Sequence, residues 1–224
     1  ILGGAKTIIH IAGSLETFDK KRLWAGNVIL TKSIVNAAPK DSRIIFASSI
    51  SVYGKLLTEK PTDEKTMPNP DSEYAKTKYE AEKEVAGHQN CVILRIGVVY
   101  GPQFSDYWRI LDKIKKGKMR IINNGTNRIP FVHVDDVAEV FKNALEKEKI
   151  HGTYVVAGEP LTQNEIYKIA ADELGMEVPK KHVSISLAMG MASISEIWYK
   201  ISGQRPALSK EHISILAYDR IFDC

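Results

Sequence analysis

Three residues, Ser49, Tyr74 and Lys78, have side chains and a spacing that could carry out acid–base chemistry. Tyr74 and Lys78 are four residues apart, so in a helix they would share one face. A free tyrosine has a pKa of about 10, and lowering it to about 7 requires roughly 4 kcal/mol of selective stabilisation of the phenolate. A lysine ammonium beside the phenol acts in that direction, and a serine hydroxyl can hold the phenol or a substrate oxygen. Together these side chains would form a proton-transfer site.

Two apolar runs predict strands on either side of this site. The run at 43–48 predicts a buried strand that brings Ser48 and Ser49 to its end. The run at 91–96 predicts a second buried strand, which Gly97 follows. We therefore expect Ser49 at the carboxyl end of a central strand.

The helix that carries the tyrosine and the lysine is expected between these two strands. It is predicted to begin near Asp71 or Ser72, after a loop of Pro, Asp, Thr and Glu residues, and to end near Gly87. Tyr74 then lies in the first turns of the helix, and Lys78 follows one turn later.

The segment at 7–12 is apolar apart from His10, which predicts a buried parallel strand with His10 packed in the core. Ala12, Gly13 and Ser14 follow at its carboxyl end, where ligands of open α/β sheets bind. Small residues there allow a backbone to approach a ligand closely.

The remaining apolar patterns continue the alternation of strands and helices, which indicates an α/β protein. Helices are predicted at 23–38, 106–116 and, after a capping box, 161–174, strands at 130–134 and 152–157, and a mostly helical tail after Pro179. Asp135 is expected to cap the helix that follows 130–134. In the tail, an apolar stripe predicts core packing or a subunit contact: Met189, Met191, Ile194 and Ile197.

The sequence resembles the extended short-chain dehydrogenase/reductase family, which includes NAD-dependent sugar-nucleotide epimerases and dehydratases. The resemblance rests on Ser49 followed by Val52-Tyr53-Gly54, on Tyr74 and Lys78, and on the run LRIGVVYGP at 94–102. It implies a Rossmann-like, doubly wound parallel sheet with a small, mostly helical C-terminal substrate region. The implied cofactor-binding core covers 1–102 and 128–158, and the implied substrate-binding region covers 103–127 and 159–224.

The same resemblance implies roles for individual residues. Tyr74 would be the general acid/base, Lys78 would lower its pKa and hold the nicotinamide ribose, and Ser49 would steady the reacting oxygen. Asn27 would help to maintain the arrangement of water and lysine at the site. The positions implied for cofactor binding are Ala12, Gly13, Ser14, Ala47, Ser48, Tyr74, Lys78, Ile96, Gly97 and Val98. Those implied for substrate binding are Ser49, Tyr100, Arg128 and His133, although Arg128 could equally face solvent.

The resemblance implies hydride transfer at a carbinol or carbonyl carbon with NAD or NADP, of which NAD is favoured. The leading hypothesis is a nucleotide-sugar epimerase. An NADP-dependent carbonyl reductase or a hydroxysteroid-dehydrogenase-like enzyme is the alternative that uses the same machinery. A non-catalytic binding relative or an inactive fragment is the alternative from another class. Ile50 and Ser51 stand where dehydratases of the family have an Asp-Glu pair, so elimination of water is disfavoured.

The beginning of the sequence differs from what the resemblance requires. A member of this family should begin with a strand and a Gly-rich turn, but this sequence opens with Ile1 and a segment similar to the family's fourth strand. We therefore expect that the first three strands and the pyrophosphate-binding helix terminus lie outside it. It would then be a fragment, or part of a protein whose first region went unrecorded.

Composition narrows the remaining function classes. The 224 residues are 44% hydrophobic and 26% charged, as in ordinary soluble globular proteins. Cys91 and Cys224 have no metal-ligand spacing and indicate a reducing compartment, so a cytoplasmic protein without a metal is expected. No apolar run reaches the ~18 residues that cross a bilayer, and no nucleic-acid motif is present. The expected partners are a small-molecule substrate and a second copy of the chain in a homodimer.

Overall fold

Strands and helices alternate through the chain, as the apolar runs and helix caps predict. The computed structural model describes residues 3–57, 61–202 and 209–224. Its strands are β1 Thr7–His10, β2 Arg43–Ser49, β3 Cys91–Ile96, β4 Val98–Tyr100, β5 Ile121–Ile122, β6 Arg128–Ile129, β7 Phe131–His133, β8 Gly152–Val156, β9 Leu161–Thr162 and β10 His182–Val183. Its α-helices are α1 Lys20–Trp24, α2 Leu30–Ala37, α3 Glu73–Ala86, α4 Ser105–Lys115, α5 Val134–Glu146, α6 Gln163–Leu174, α7 Ile185–Ser202 and α8 Lys210–Ala217. A π-helical turn covers Ala25–Ile29 and a 3₁₀ turn covers Ile50–Tyr53.

These elements form two compact units. The first consists of Ile1–Val99, Val132–Gly158 and Phe222–Cys224, and the second of Tyr100–Phe131 and Glu159–Ile221. The assignment of one region to cofactor and another to substrate stays a prediction.

A parallel four-stranded sheet in the order β1-β2-β3-β8 forms the centre of the first unit. Ile44 and Phe46 of β2 face one side, where they pack with Ala81 and Val85 of α3 and with residues of α2. Alternate β2 residues point to the opposite side of the sheet, where Ile45 and Ala47 pack in the same cluster as Phe141 and Ala144 of α5. The sheet thus carries helices on both faces, which confirms the doubly wound, Rossmann-like α/β fold.

The strand predicted at 7–12 is shorter and less buried than expected. β1 ends at His10, and Ile9 and Ile11 are 42% and 63% exposed, whereas Ile8 and His10 are buried. The reason is its place at the end of the described sheet: the apolar cluster under α2 and α3 includes Ile8, but the cluster under α5 includes no β1 residue. The prediction of a strand buried on both faces was therefore wrong for the face of Ile9.

The single helix predicted at 23–38 is instead a succession of α1, the π-helical turn and α2. The π turn brings Gly26 and Asn27 against the segment after β1: a Cβ on Gly26 would lie 2.7 Å from Cβ of Ser14. π turns change which side chains face a neighbouring element, and they occur frequently at functional sites. Only a residue without a side chain fits at position 26 unless Ser14 moves.

The helix that carries Tyr74 and Lys78 begins and ends where the sequence predicts. Ser72 caps α3, its hydroxyl accepting a hydrogen bond from the backbone N–H of Ala75 at 3.1 Å, and Gly87 is at its C-terminal end. The cap starts the helix two residues before Tyr74, so the start of α3 follows from local sequence.

The N-cap of α5 is His133, and the prediction of Asp135 in that position was wrong. The imidazole Nδ1 of His133 accepts a hydrogen bond from the backbone N–H of Asp135 at 3.3 Å. Asp135 and Asp136 lie inside the first turn, where their negative charges interact favourably with the positive end of the helix dipole. The helix therefore starts two residues earlier than an aspartate cap at position 135 would place it.

The second unit has two apolar clusters of its own. One joins α7 and α8 through Ala188, Ala192, Ile213 and Ala217, and the other joins α4 and α6 through buried residues that include Ile114 and Tyr167. The capping box that opens α6 is present between Thr162 and Glu165, as predicted.

The apolar stripe predicted in the C-terminal tail lies on α7, but most of it is outside the core. Met189 packs against the α7–α8 cluster, whereas Met191, Ile194 and Ile197 are more than half exposed. Core packing, one of the two expectations for this stripe, therefore holds only for Met189. Within the described ranges, none of the helices combines the length and apolarity that crossing a membrane requires.

Replacing Gly26 by Ala should destabilise the protein by about 1–3 kcal/mol, because the new methyl group forces Ser14 and its backbone away from the π turn. The matched control is Gly190→Ala in α7, where the added Cβ has no described atom within 4 Å apart from the neighbouring residues and backbone of its own helix. Alanine there should be neutral or stabilising by up to about 1 kcal/mol. Denaturant unfolding of both variants measures the difference, and equal stabilities would contradict the close packing at Ser14.

Candidate active site

The ammonium of Lys78 lies buried at the carboxyl end of β2. Lys78 is 5% exposed, and its Nζ donates a hydrogen bond to the carbonyl oxygen of Ala47 at 2.5 Å. The same Nζ lies 4.4 Å from the ring centroid of Phe46, within the range of a cation–π interaction. Burial lowers the pKa of Lys78 to about 8, although the carboxylate of Glu82 opposes this effect. The helix thus brings a positive charge to the last residues of the central strand.

Ser49 and Tyr74 lie on the same strand and the same helix as the two residues of this hydrogen bond. Ser49 is the last residue of β2, two residues after Ala47, and its hydroxyl accepts a hydrogen bond from the backbone N–H of Ser51 at 3.2 Å. Tyr74 is half-buried on α3, one turn before Lys78, and α3 packs against β2 and the 3₁₀ turn that follows it. The structure therefore places all three residues on elements that meet at the end of β2, and their catalytic roles stay predictions.

Asn27 connects the segment after β1 to this helix. It is 2% exposed; its Oδ1 accepts from the backbone N–H of Ser14 at 2.7 Å, and its Nδ2 donates to the carbonyl of Ser14 at 3.1 Å and to Thr77 Oγ1 at 2.9 Å. Thr77 immediately precedes Lys78 and donates its hydroxyl hydrogen to the carbonyl oxygen of Tyr74. Through the Thr77 hydroxyl, Asn27 is thus linked to the helix turn between the predicted acid/base and the lysine.

His10 is packed in the core, as expected, and it faces the lysine. Its Nε2 lies 2.8 Å from Thr31 Oγ1, whose hydrogen goes to the carbonyl of Asn27, so Nε2 carries the proton. Its Nδ1 has no hydrogen-bond partner within the described part of the chain. Burial and, to a lesser extent, the charge of Lys78 lower the pKa of His10 to about 4. His10 is therefore neutral at neutral pH.

Glu82 and Arg95 form a buried ion pair beside the lysine. Arg95 donates to Glu82 through Nε at 3.1 Å and through a terminal nitrogen at 2.8 Å, and Ser48 donates its hydroxyl hydrogen to the same carboxylate at 2.5 Å. The other terminal nitrogen of Arg95 donates to the Tyr53 hydroxyl at 2.8 Å. This pair was not predicted: the four-residue spacing of Lys78 and Glu82 indicates two opposite charges on one helix face, but no spacing in the sequence indicates that Glu82 meets Arg95.

The other residues predicted to bind a cofactor line the carboxyl ends of three adjacent strands. Ala12 and Gly13 are exposed after β1, and Gly97 and Val98 are partly exposed after β3. Ala47 and Ile96 are buried, the latter pairing with Ser49 in the parallel register. This edge combines small, accessible residues with a lysine charge, which fits the ribose and nicotinamide end of a dinucleotide.

The residues predicted to bind substrate are divided between the two units. His133 and Ser49 belong to the first unit, whereas Tyr100 and Arg128 belong to the second. Tyr100 is 42% exposed and lies edge-on to the ring of Phe131, with 6.0 Å between ring centroids. Arg128 is exposed, and the imidazole of His133 caps α5. Their contact with substrate stays a prediction.

Comparisons with known proteins show which family the chain resembles. The model of the NAD dependent epimerase/dehydratase family matches residues 3–158. A curated relative, the N-acetyl-alpha-D-glucosaminyl-diphospho-ditrans,octacis-undecaprenol 4-epimerase of Escherichia coli O157:H7, is 26% identical over 99% of this chain and 71% of its own length. Methionine adenosyltransferase 2 subunit beta of Bos taurus is 32% identical over 66% of this chain and 46% of its own length.

Solved structures are similar as well. The UDP-glucuronic acid 4-epimerase from Bacillus cereus, in complex with NAD, superposes with a TM-score of 0.68 at 25% identity, covering 82% of this chain and 64% of that one. Other curated relatives are matched over 56–63% of their length. The chain thus spans only part of most relatives that it matches.

The lowered pKa of His10 predicts a specific pH dependence of stability. An unfolded histidine takes up a proton near pH 6.5, but the folded His10 does so only near pH 4. Between these values the unfolded state binds more protons, so the free energy of unfolding falls as the pH falls from about 6.5 to about 4. His10→Gln, which keeps an N–H for Thr31, should show a shallower decline in that window. Denaturant unfolding at a series of pH values measures how steeply the free energy of unfolding changes with pH. The control is His151→Gln, since His151 is exposed. An equally steep decline in the wild type and in His10→Gln would contradict the burial argument.

Proposed function

The chain belongs to the NAD dependent epimerase/dehydratase family, and on that premise we propose that it is an NAD(P)-dependent epimerase of a nucleotide sugar. One observation carries the proposal: the ammonium of Lys78 is held by the carbonyl of Ala47 at the end of β2, one helical turn from Tyr74. That arrangement stabilises a phenolate next to the strand end where Ser49 stands.

In the proposed reaction Tyr74 acts as the general acid/base. Its phenolate removes the proton from a sugar hydroxyl, and the hydrogen on the same carbon leaves with its electron pair, so that a ketone forms. A bound nicotinamide cofactor would take up that hydride and return it to the other face of the ketone. Tyr74 then gives its proton back to the oxygen, and Ser49 holds that oxygen while the sugar turns over.

The positive charge of Lys78 has two tasks in this proposal. It favours the phenolate of Tyr74 over the neutral phenol, and it holds a ribose hydroxyl of the cofactor. Because burial lowers the pKa of Lys78 only to about 8, the amine stays largely protonated at neutral pH. The charge is therefore present under the conditions in which the phenolate needs it.

The names of two similar proteins support a sugar 4-epimerase in particular. The Escherichia coli relative is named as a 4-epimerase of a diphosphate-linked sugar, and the Bacillus cereus structure is that of a UDP-sugar 4-epimerase bound to NAD. NAD is accordingly the proposed cofactor, and the edge formed by Ala12, Gly13 and Gly97 is its proposed binding position.

Dehydration is a weaker candidate. Ile50 is buried in an apolar cluster with Val52 and Tyr53, and Ser51 follows it where dehydratases have an acidic pair. Neither residue can supply the acid or the base that elimination of water needs. The described contacts thus support oxidation and reduction at one carbon.

A non-catalytic binding relative is the second candidate, because one similar protein, methionine adenosyltransferase 2 subunit beta, is named as a subunit. Against it stands the presence of both Tyr74 and Lys78, with the lysine buried at the strand end.

A homodimer in the cytoplasm remains part of the proposal. Apolar side chains on the first unit expose surface that a second copy would cover: Trp24, Ile29 and Leu30.

Incubation of the full-length protein with NAD and a panel of nucleotide sugars tests the reaction. We expect proton NMR to show inversion at one sugar carbon without net change in the absorbance of reduced nicotinamide, because each hydride is returned. A net absorbance change with carbonyl or carbinol substrates would instead favour a reductase or dehydrogenase. No turnover of any substrate by the folded, NAD-bound protein would favour a binding module.

Tyr74→Phe should reduce the rate of sugar inversion by about 10²–10⁴-fold, because it removes the proton-transfer group without removing the ring. Tyr79→Phe is the matched control, since Tyr79 lies on the same helix and packs against the apolar cluster of Ile50 and Val52. Inversion rates and thermal unfolding are measured for both variants. Turnover that survives in Tyr74→Phe would remove the basis of the proposed mechanism.

A further inference from the structure

We propose that Glu82 is a positioning residue for Lys78: its carboxylate keeps the neighbouring ammonium charged inside an apolar setting and fixes the strand ends that surround it. The inference rests on the function proposed for Lys78 and adds a residue that acts through it. No role for Glu82 follows from the spacing of Ser49, Tyr74 and Lys78 alone.

The position of Glu82 on α3 is the first argument. Glu82 follows Lys78 by four residues, so the two side chains share one face of the helix. Both are withdrawn from solvent, at 3% and 5% exposure. A carboxylate and an ammonium that are both buried on one helix face interact more strongly than exposed charges, because little water screens them.

The hydrogen bonds of Glu82 are the second argument. Its carboxylate accepts from Ser48 of β2 and, through two bonds, from Arg95 of β3. One side chain therefore ties α3 to both central strands at the end where Ala47 accepts from Lys78. These charge-assisted hydrogen bonds, two of which form a bidentate interaction with the Arg95 guanidinium, hold the carboxylate in one orientation.

Arg95 extends this network away from the lysine. Its guanidinium donates to the Tyr53 hydroxyl and lies 4.8 Å from the Tyr53 ring centroid, and Tyr53 donates in turn to the carbonyl of Asp63. Arg95 is thus engaged on both sides, and it holds Glu82 in place without being bonded to Lys78.

While Tyr74 is a neutral phenol, Glu82 is the negative group near Lys78 among the described residues. On α3 the neighbours are Tyr74 and Glu82; on β1 it is the neutral His10; on β2 they are the uncharged Phe46 and Ala47. The pKa of Lys78 agrees: burial lowers it and the charge of Glu82 raises it. Without that carboxylate, a larger fraction of the amine would be neutral at neutral pH.

Direct titration of the lysine tests the proposal without requiring turnover. The full chain is labelled with isotopic lysine, the Lys78 NMR signal is assigned by its loss in Lys78→Met, and its titration midpoint is measured. In Glu82→Gln we expect this midpoint to fall by about one pH unit or more. The matched control is Glu80→Gln on the same helix, since the Glu80 side chain is 41% exposed and pairs with Lys83. In this variant the titration midpoint of Lys78 should equal that of the wild type.

The pH profile of catalysis provides a second readout that a merely structural role would not move. The alkaline limb of kcat/KM for sugar inversion should shift to lower pH in Glu82→Gln by the same amount as the Lys78 midpoint, and it should stay in place in Glu80→Gln. Glu82→Asp, which keeps the carboxylate, should restore most of the shift. A lower kcat/KM with an unshifted limb would overturn the electrostatic role.

Folding must be separated from this effect, because Glu82→Gln leaves Arg95 buried without its counter-charge. The double variant Glu82→Gln/Arg95→Gln removes both charges; it should recover thermal stability relative to the single variant and keep the lowered Lys78 midpoint. An unchanged midpoint in the folded double variant overturns the proposal. If the wild type inverts no sugar, the function proposed above fails, while the titration still decides whether Glu82 sets the charge of Lys78.

Discussion

The burial of one ammonium, that of Lys78, is the constraint on which the rest of this structure depends. Withdrawing a charge from water costs several kcal/mol unless polar groups replace the water. Here the replacement comes from the carbonyl of Ala47, the face of Phe46 and the carboxylate of Glu82. These groups belong to β2 and α3, so the lysine can be accommodated only where the helix packs against that strand.

The parts of the fold that local sequence determines were predicted well. β2 and β3 follow from short apolar runs that are typical of strands buried on both faces, and the start of α3 follows from the serine at position 72. The π turn at Ala25–Ile29 was not predicted, because it arises from contact with Ser14, a residue outside the helix. The cap of α5 by His133 was missed for a similar reason: histidine is seldom a cap, and only the backbone geometry shows it.

The candidate site divides in the same way. The spacing of Tyr74 and Lys78 can be read from the sequence alone, and with the strand prediction at 43–48 it correctly predicted that Lys78 lies at the end of β2. The pairing of Glu82 with Arg95 joins a helix to the next strand across the turn that follows Gly87, so no periodicity in the sequence reports it. Asn27 lies between these cases, since the resemblance indicated its position but not its bonds to Ser14 and Thr77.

The ion pair of Glu82 and Arg95 has a consequence for anyone who would transplant this chemistry. Because the Glu82 carboxylate is oriented by a hydroxyl on β2 and a guanidinium on β3, a helix carrying tyrosine, lysine and glutamate cannot be transferred alone to another protein. On a scaffold sheet without Ser48 and Arg95, its glutamate would be a buried negative charge without hydrogen-bond partners. The smallest transferable module is the helix together with both strands on which it lies.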